Sequence, residues 1–583
     1  MSDSRIKGSV RTSQLVTTYG VGALIAQANE SFIVAGIERW QVDEDAGEIH
    51  EPRLERQLGV WGFRTPPAGG DESWDIPVFR FPEQHSCPQC HRLDSLYFFK
   101  SPFGKATCNM CEDEPDLVPS RFVVACEDGH LDDFPFYRWV HDQHPHHDGN
   151  GKAKLQLKSR GESSGLKDIE IKCSCGARRS MDGAFGKKAL FKVTRCQGRR
   201  PWLGADHKQD CDKTPVTLQR GASNVWFADT ISAISIPPWS EGVYRLLDRY
   251  WKVLKNVPPI AIQATMEGMG VASNEHSLED LVGATLQRKA VEAGESAPDS
   301  TEVKPQEYEA LMKGAPEKDR HDEFVCLDAK EVGDEAATWV PVVKNVPKLR
   351  VVRVLRGFSR LQPPVGSSDP DEPTSGSVVP IGNDETGWLP AIEVSGEGVF
   401  LELSSDRLDQ WEASPKVVSR AARLAERAEH AFGEVPDDIS PRFIMIHTLA
   451  HALIDQWALE CGYPAASLAE RLYVTKQRAG LLIYTATTDS AGSLGGVVSM
   501  TEDGRLSASL REAMLRSSWC SADPLCIETA TQGAEALNLA ACHACALLPE
   551  TSCEWRNQFL DRALLVGNPE TPDLGYFTSL TAS

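Results

Sequence analysis

The chain has 583 residues, too many for one hydrophobic core, so several domains are expected. With 41% apolar and 25% charged residues it has the composition of a globular protein, and no apolar run reaches the roughly 18–20 residues needed to span a bilayer. A net charge of −22 excludes a protein that coats nucleic acid with its whole surface. The N-terminal stretch is polar and lacks the apolar region of a signal peptide, so a cytosolic chain is expected. Thiols stay reduced there, and paired cysteines then read as metal ligands rather than disulfides.

Residues 1–80 read as a mixed N-terminal domain with a strand-like run at Ser31–Ile37. The GxG at Gly20–Gly22 reads as a tight turn before it reads as a phosphate loop. Residues 81–150 form a first zinc module: Cys87-x2-Cys90 and, after seventeen residues, Cys108-x2-Cys111 have the spacing of a zinc ribbon, with a short strand expected at Leu96–Lys100. The strand-like run Phe122–Ala125 then delivers Cys126, Glu127, Asp128, His130, Asp132 and Asp133 into a turn, with His141, His144, His146 and His147 following. Turn and capping roles account for most of these residues. A catalytic divalent-metal site is the alternative.

Residues 151–220 stand apart by charge. They hold 17 Lys and Arg against 7 Asp and Glu, a surplus of +10 that leaves −32 for the remainder. Arg178, Arg179, Lys187, Lys188, Arg199 and Arg200 are the candidate nucleic-acid contacts, because a local basic patch binds phosphate while an acidic body repels it elsewhere. A docking surface for an acidic partner is the other reading. The same segment carries Cys173, Cys175, Cys196 and Cys211, a looser candidate zinc tetrad in which His207 is an alternative to Cys211.

Residues 221–361 are mixed, with helical periodicity at Gly242–Leu254 and Leu278–Val291 and a polar loop from Glu292 to Pro305. Pro, Gly, Ser and Asp dominate the start of a linker, 362–385. The last domain, 386–583, opens its main helix at Ser440-Pro441 and closes it at Gly462, with an N-cap, a first-turn proline and a C-terminal glycine. That helix carries His447 and His451, but Thr448 stands where a zincin helix has glutamate. It therefore reads as a core helix with hydrogen-bonded histidines. Gly480–Ala486 reads as a buried strand, and Asp489 and Ser493 lie in a Gly-rich turn after it. A helix is expected at Leu506–Arg516. The third candidate tetrad follows: Cys526, Cys542, Cys545 and Cys553, with Cys520 and His543 as alternatives for its fourth ligand. Helical spacing runs from Cys553 to Val566. Cys126, Cys326 and Cys461 read as small core residues.

Zinc is the expected cofactor, since ferredoxin-type cysteine runs are absent. Neither GxxxxGK[ST] nor HExxH occurs, and no catalytic residue is assigned. The fold class expected is α+β, multidomain, with several small ribbon-like zinc modules and a mixed α/β C-terminal domain.

The motifs Leu482-Ile-Tyr-Thr, Gly492-Ser-Leu-Gly-Gly496, Ala541-Cys-His-Ala-Cys545, Cys553-Glu and Phe559-Leu-Asp-Arg562 resemble the four-cysteine zinc-binding domain at the C-termini of MrfA-like superfamily 2 helicases. Arg11-Thr-Ser-Gln-Leu, Phe122-Val-Val-Ala-Cys-Glu-Asp-Gly-His130, Asp133-Phe-Pro135 and His447-Thr-Leu-Ala-His451 extend the resemblance to the DrmB family of the DISARM phage-defence system. The resemblance implies a non-catalytic subunit that partners a separate superfamily 2 helicase, DrmA, and helps to engage invading DNA. It also implies Cys526, Cys542, Cys545 and Cys553 as metal ligands. The alternatives are a metal-dependent nuclease built on Cys126, Glu127, Asp128, His130, Asp132 and His141, and a helicase-docking scaffold that never touches DNA.

Overall fold

The computed structural model describes the chain except residues 1–7, 28, 43–46, 69–74, 102–104, 143–153, 160–164, 205–206, 272–275, 293–301, 331, 365–377, 383–386, 433–438, 487–494, 530–531, 534–535 and 582–583. The polar stretch after Glu292, most of the expected linker, His144, His146, His147, Asp489 and Ser493 thus lie outside the described residues.

The central feature is a sheet whose main path runs through five strands: β1 (Phe227–Ile234), β2 (Val342–Ser359), β3 (Trp388–Glu402), β4 (Leu468–Val474) and β5 (Ala479–Thr485). Their order is β1-β2-β3-β5-β4, antiparallel throughout. The register sets Val399 against Ile483 and Leu472 against Leu481. Both faces of this sheet are buried, which is why β5 reads as an unbroken apolar run. Alternate residues serve different cores. Val399, Leu401, Leu481 and Ile483 join the core under the C-terminal helices, while Phe400, Leu482 and Tyr484 join the core shared with N-terminal segments.

Helix α1 (Pro441–Cys461) covers the first face. Ser440 Oγ accepts the Phe443 N–H at 3.2 Å, and Gly462 ends the helix in the left-handed region at φ 71°. The helix is apolar nearly all round, because the sheet lies on one side and α2 (Arg505–Ser517) and the C-terminal segments on the other.

Strand pairing crosses the expected boundaries. Gly62–Arg64 pairs in parallel with β3. β2 pairs with β3 across the expected linker. A six-stranded sheet unites Gln84–Ser86, Arg92–Ser95 and Val118–Pro119 with Leu155–Ser159, Ile169–Cys173 and Arg178–Ser180, so the first zinc module and the basic segment share one sheet. A third sheet joins Phe122–Ala125 to Leu131–Asp133 and Val216–Gln219. Mixed helices and sheets in several units make the fold α+β.

Local expectations also meet corrections. Leu96–Phe99 is a helical turn, not a strand, with Phe99 packed against Cys87 and Cys108. A helix at Val303–Lys313 occupies the end of the expected polar loop. The run from Cys553 is helical only at Ala563–Val566, because Arg556, Asn557 and Phe559 adopt positive φ. Gly22, at φ 78°, makes the GxG a turn whose carbonyl accepts from Arg360. Among the described residues no helix is long and apolar enough to cross a membrane.

Buried Arg471 of β4 binds the fold across its second face. Its guanidinium meets Glu307 at 3.0 Å, Glu554 at 3.3 Å and the Ser232 carbonyl at 3.0 Å. Removing one member of such a network leaves an uncompensated buried charge and costs about 3–5 kcal/mol. Arg471→Met is accordingly expected to lower the urea midpoint sharply, while Arg511→Met, which breaks an exposed pair with Glu335, barely moves it. Equal midpoints for the two variants would refute the structural role of Arg471.

Candidate metal centres

The first tetrad is assembled by two tight turns, one between the strands Gln84–Ser86 and Arg92–Ser95 and the other at Cys108–Cys111. Cys87 Sγ lies 3.8 Å from Cys111 Sγ, Cys90 Sγ 3.9 Å from Cys108 Sγ, and Cys108 Sγ 3.7 Å from Cys111 Sγ. Four thiolates at about 2.3 Å from a tetrahedral zinc ion are separated by about 3.8 Å, so this cage has the size the ion needs. Sulfurs joined in a disulfide would stand about 2.05 Å apart. The Cys90 N–H points at Cys87 Sγ at 3.4 Å, a contact that favours the thiolate.

The expected tetrad Cys173, Cys175, Cys196 and Cys211 is divided in the structure. Cys196 and Cys211 join Cys126 and His130 instead. The physical reason is the sheet arrangement. Cys126 and His130 flank the turn of the hairpin formed by Phe122–Ala125 and Leu131–Asp133, closed by a Cys126 N–H bond to the His130 carbonyl, with Gly129 at φ 74°. The loop bearing Cys196 is tied beside it by the Leu131 N–H to the Arg199 carbonyl at 3.1 Å. Cys126 Sγ lies 3.9 Å from Cys211 Sγ and 3.3 Å from His130 Nδ1. His130 Nε2 faces Gln209 Oε1 at 3.2 Å. That oxygen only accepts, so Nε2 carries the proton and Nδ1 offers its lone pair to the cage. Contact with Cys196, then burial, pushes the Cys126 thiol up to about 12, so a cation is needed to hold it as thiolate at neutral pH.

Cys173 and Cys175, at the end of a strand of the six-stranded sheet, form a separate three-donor group with His141, whose Nε2 is 3.3 Å from Cys175 Sγ.

The third cluster consists of Cys520, Cys526, Cys542 and Cys545, so Cys520 takes the place expected for Cys553. Cys520 Sγ is 3.6 Å from Cys542 Sγ, and Cys545 Sγ is 3.7 Å from both Cys526 Sγ and Cys542 Sγ. A turn closed by Asp523, which accepts the Cys520 N–H at 2.8 Å, folds Cys520 back over Cys526. Cys553 instead lies beside His447 of α1.

The acidic residues after Cys126 do not converge. Asp132 pairs with Arg199 at 2.9 Å, Asp133 accepts the N–H groups of Glu83 and Gln84, and Glu127 is exposed. The candidate DNA contacts also divide. Arg199 is held by Asp132 and Glu83, and Arg179 stacks on Trp139 at 3.4 Å while pairing with Asp142. Arg200 is half-buried. Arg178, Lys187 and Lys188 are exposed, as are Phe191, Lys192 and Arg195 nearby in sequence.

Comparison with known proteins adds to this geometry. Residues 449–546 match the family described as the MrfA Zn-binding domain, and residues 11–227 match a domain of unknown function, DUF8724. The chain is 31% identical over 572 residues to the DISARM protein DrmB of Bacillus paralicheniformis, covering 95% of this chain and 99% of that one. The zinc-binding match and the cage dimensions together support zinc as the metal.

The regrouping has a direct test. Elemental analysis of purified Cys126→Ser should show one zinc fewer per chain, and adding Cys196→Ser should remove no second ion. Loss of a further ion in the double variant, or no loss in the single one, would restore the grouping read from sequence.

Proposed function

Because the chain belongs to the DrmB family of DISARM proteins, we propose that it is a non-catalytic, zinc-braced subunit of that antiviral defence system, one that works beside a superfamily 2 helicase and helps to grip invading DNA. The observation that carries this reading is the exposed cationic surface at Arg178, Lys187 and Lys188, continued in sequence by Lys192 and Arg195. These residues belong to the segment with a +10 surplus on an otherwise acidic chain. Their backbone is braced at both ends by sulfur clusters, Cys173–Cys175 before them and Cys196 after. Exposed cations of this kind release counterions from DNA on binding. Phe191, 66% exposed among these cations, offers a face on which an unpaired base can stack.

The four-donor cages in this reading supply architecture and no chemistry, because they leave no position for substrate. The helicase supplies the motor, since the sequence carries no phosphate-loop lysine motif. The match to the MrfA Zn-binding domain favours a helicase-associated role for the C-terminal unit.

The test uses Arg178→Glu combined with Lys187→Glu and Lys188→Glu in the full chain. Arg199 is left intact, because its pairs with Asp132 and Glu83 hold two loops together. Fluorescence anisotropy with single- and double-stranded DNA across a salt series should show weakened binding and a shallower slope, by about 0.7–0.9 for each phosphate that is no longer neutralised. Unchanged affinity and slope would reject the DNA role and leave a docking subunit, which co-purification with the neighbouring helicase would then identify.

A further inference from the structure

Helix α1 places His447 and His451 one turn apart, both fully buried, facing Glu470 of β4 and Cys553 of the C-terminal loop. His447 Nε2 is 3.1 Å from Glu470 Oε1 and 3.2 Å from Cys553 Sγ. His451 Nε2 is 3.6 Å from the same carboxylate oxygen. Two nitrogens, one oxygen and one sulfur thus lie within 4.8 Å of one another.

Hydrogen bonding alone does not account for this arrangement. His451 Nδ1 lies 2.7 Å from the Ala546 carbonyl, which only accepts, so Nδ1 carries a proton. Among the described residues its Nε2 has no hydrogen-bond partner, and neither do His447 Nδ1 and Glu470 Oε2. With Nε2 bare, a lone pair faces a carboxylate in a dry interior, a costly contact. With Nε2 protonated, the 3.6 Å gap is too long for a hydrogen bond. A cation between the two removes the conflict. The outer contacts suit charged ligands as well: the Glu554 N–H donates to Glu470 Oε1 at 3.1 Å, and the Asn557 N–H to Cys553 Sγ at 3.2 Å.

We propose that His447, His451, Glu470 and Cys553 hold one divalent transition-metal ion, zinc by donor type, in a closed site that staples α1, β4 and the C-terminal loop together. The acid that is missing from the His-x3-His helix comes from the strand beneath it and acts as a ligand. Four buried donors leave no open position, so the site is structural. It is independent of the DNA reading and of the neighbouring cysteine cluster.

Native mass spectrometry of the full chain counts ions on folded molecules only. Cys553→Ser is expected to carry one metal ion fewer than the parent, Cys526→Ser to lose a different one, and the double variant to lose two. A folded Cys553→Ser chain with the parent's count, or a double variant missing only one ion, overturns the proposal. Should Cys553→Ser not fold, the cadmium-loaded parent decides by 113Cd NMR. A resonance well upfield of every site with two or more sulfur donors is expected; a spectrum holding only sulfur-rich resonances overturns the assignment.

Discussion

Thiolates packed edge to edge repel one another unless a divalent cation sits among them. Three cages in this protein bring sulfur to within 3.6–3.9 Å of sulfur. Among the described residues, the ribbon at Cys87–Cys111 has a core of five buried residues, two of them cysteines. A core that small supplies too little apolar burial to order its loops unaided. Metal binding there adds to the folding free energy that the shared sheet supplies.

The zinc cages are tied to an apolar and ionic frame that closes around the central sheet. β4 shows how the two are joined. Its successive residues Glu470 and Arg471 point to opposite faces, one toward α1 and Cys553, the other toward Glu307 and Ser232. Glu554, next to Cys553, reaches Arg471 and accepts the Leu472 N–H at 2.9 Å. The C-terminal loop is therefore fixed to both sides of one strand. Arg360 does similar work near the N-terminus. It is fully buried and donates to the carbonyls of Gly129, Val225 and Gly22, so the hairpin that carries Cys126 and His130 is anchored to the end of the central sheet.

Local patterns in the sequence are realised where the determining contacts are also local. Ser440, Pro441 and Gly462 bound α1 as their capping chemistry dictates. Gly480–Ala486 gives a strand because an apolar run of that length suits a sheet buried on both faces. The ribbon's two CxxC turns meet because each brings its own pair of sulfurs into range. What was not legible is the pairing of distant segments. Cys126 and His130 carry a Cys-x3-His signal, yet only the 216–219 strand and the Arg199 loop bring Cys196 and Cys211 beside them. Glu470 sits in a strand, Glu470-Arg-Leu-Tyr473, that carries no metal-ligand spacing of its own. Pairing across the boundaries drawn from composition was hidden for the same reason, since Leu155 pairs with Leu93 and β2 with β3 across segments of loop-like composition.

Zinc as the brace of this fold is most directly tested by unfolding freshly purified full-length protein, after measuring its metal content, with and without a strong chelator. One ion is expected for each of the four four-donor clusters, together with a large loss of resistance to denaturant once the metal is withdrawn. A metal-free preparation that unfolds at the same denaturant concentration in both conditions would contradict it.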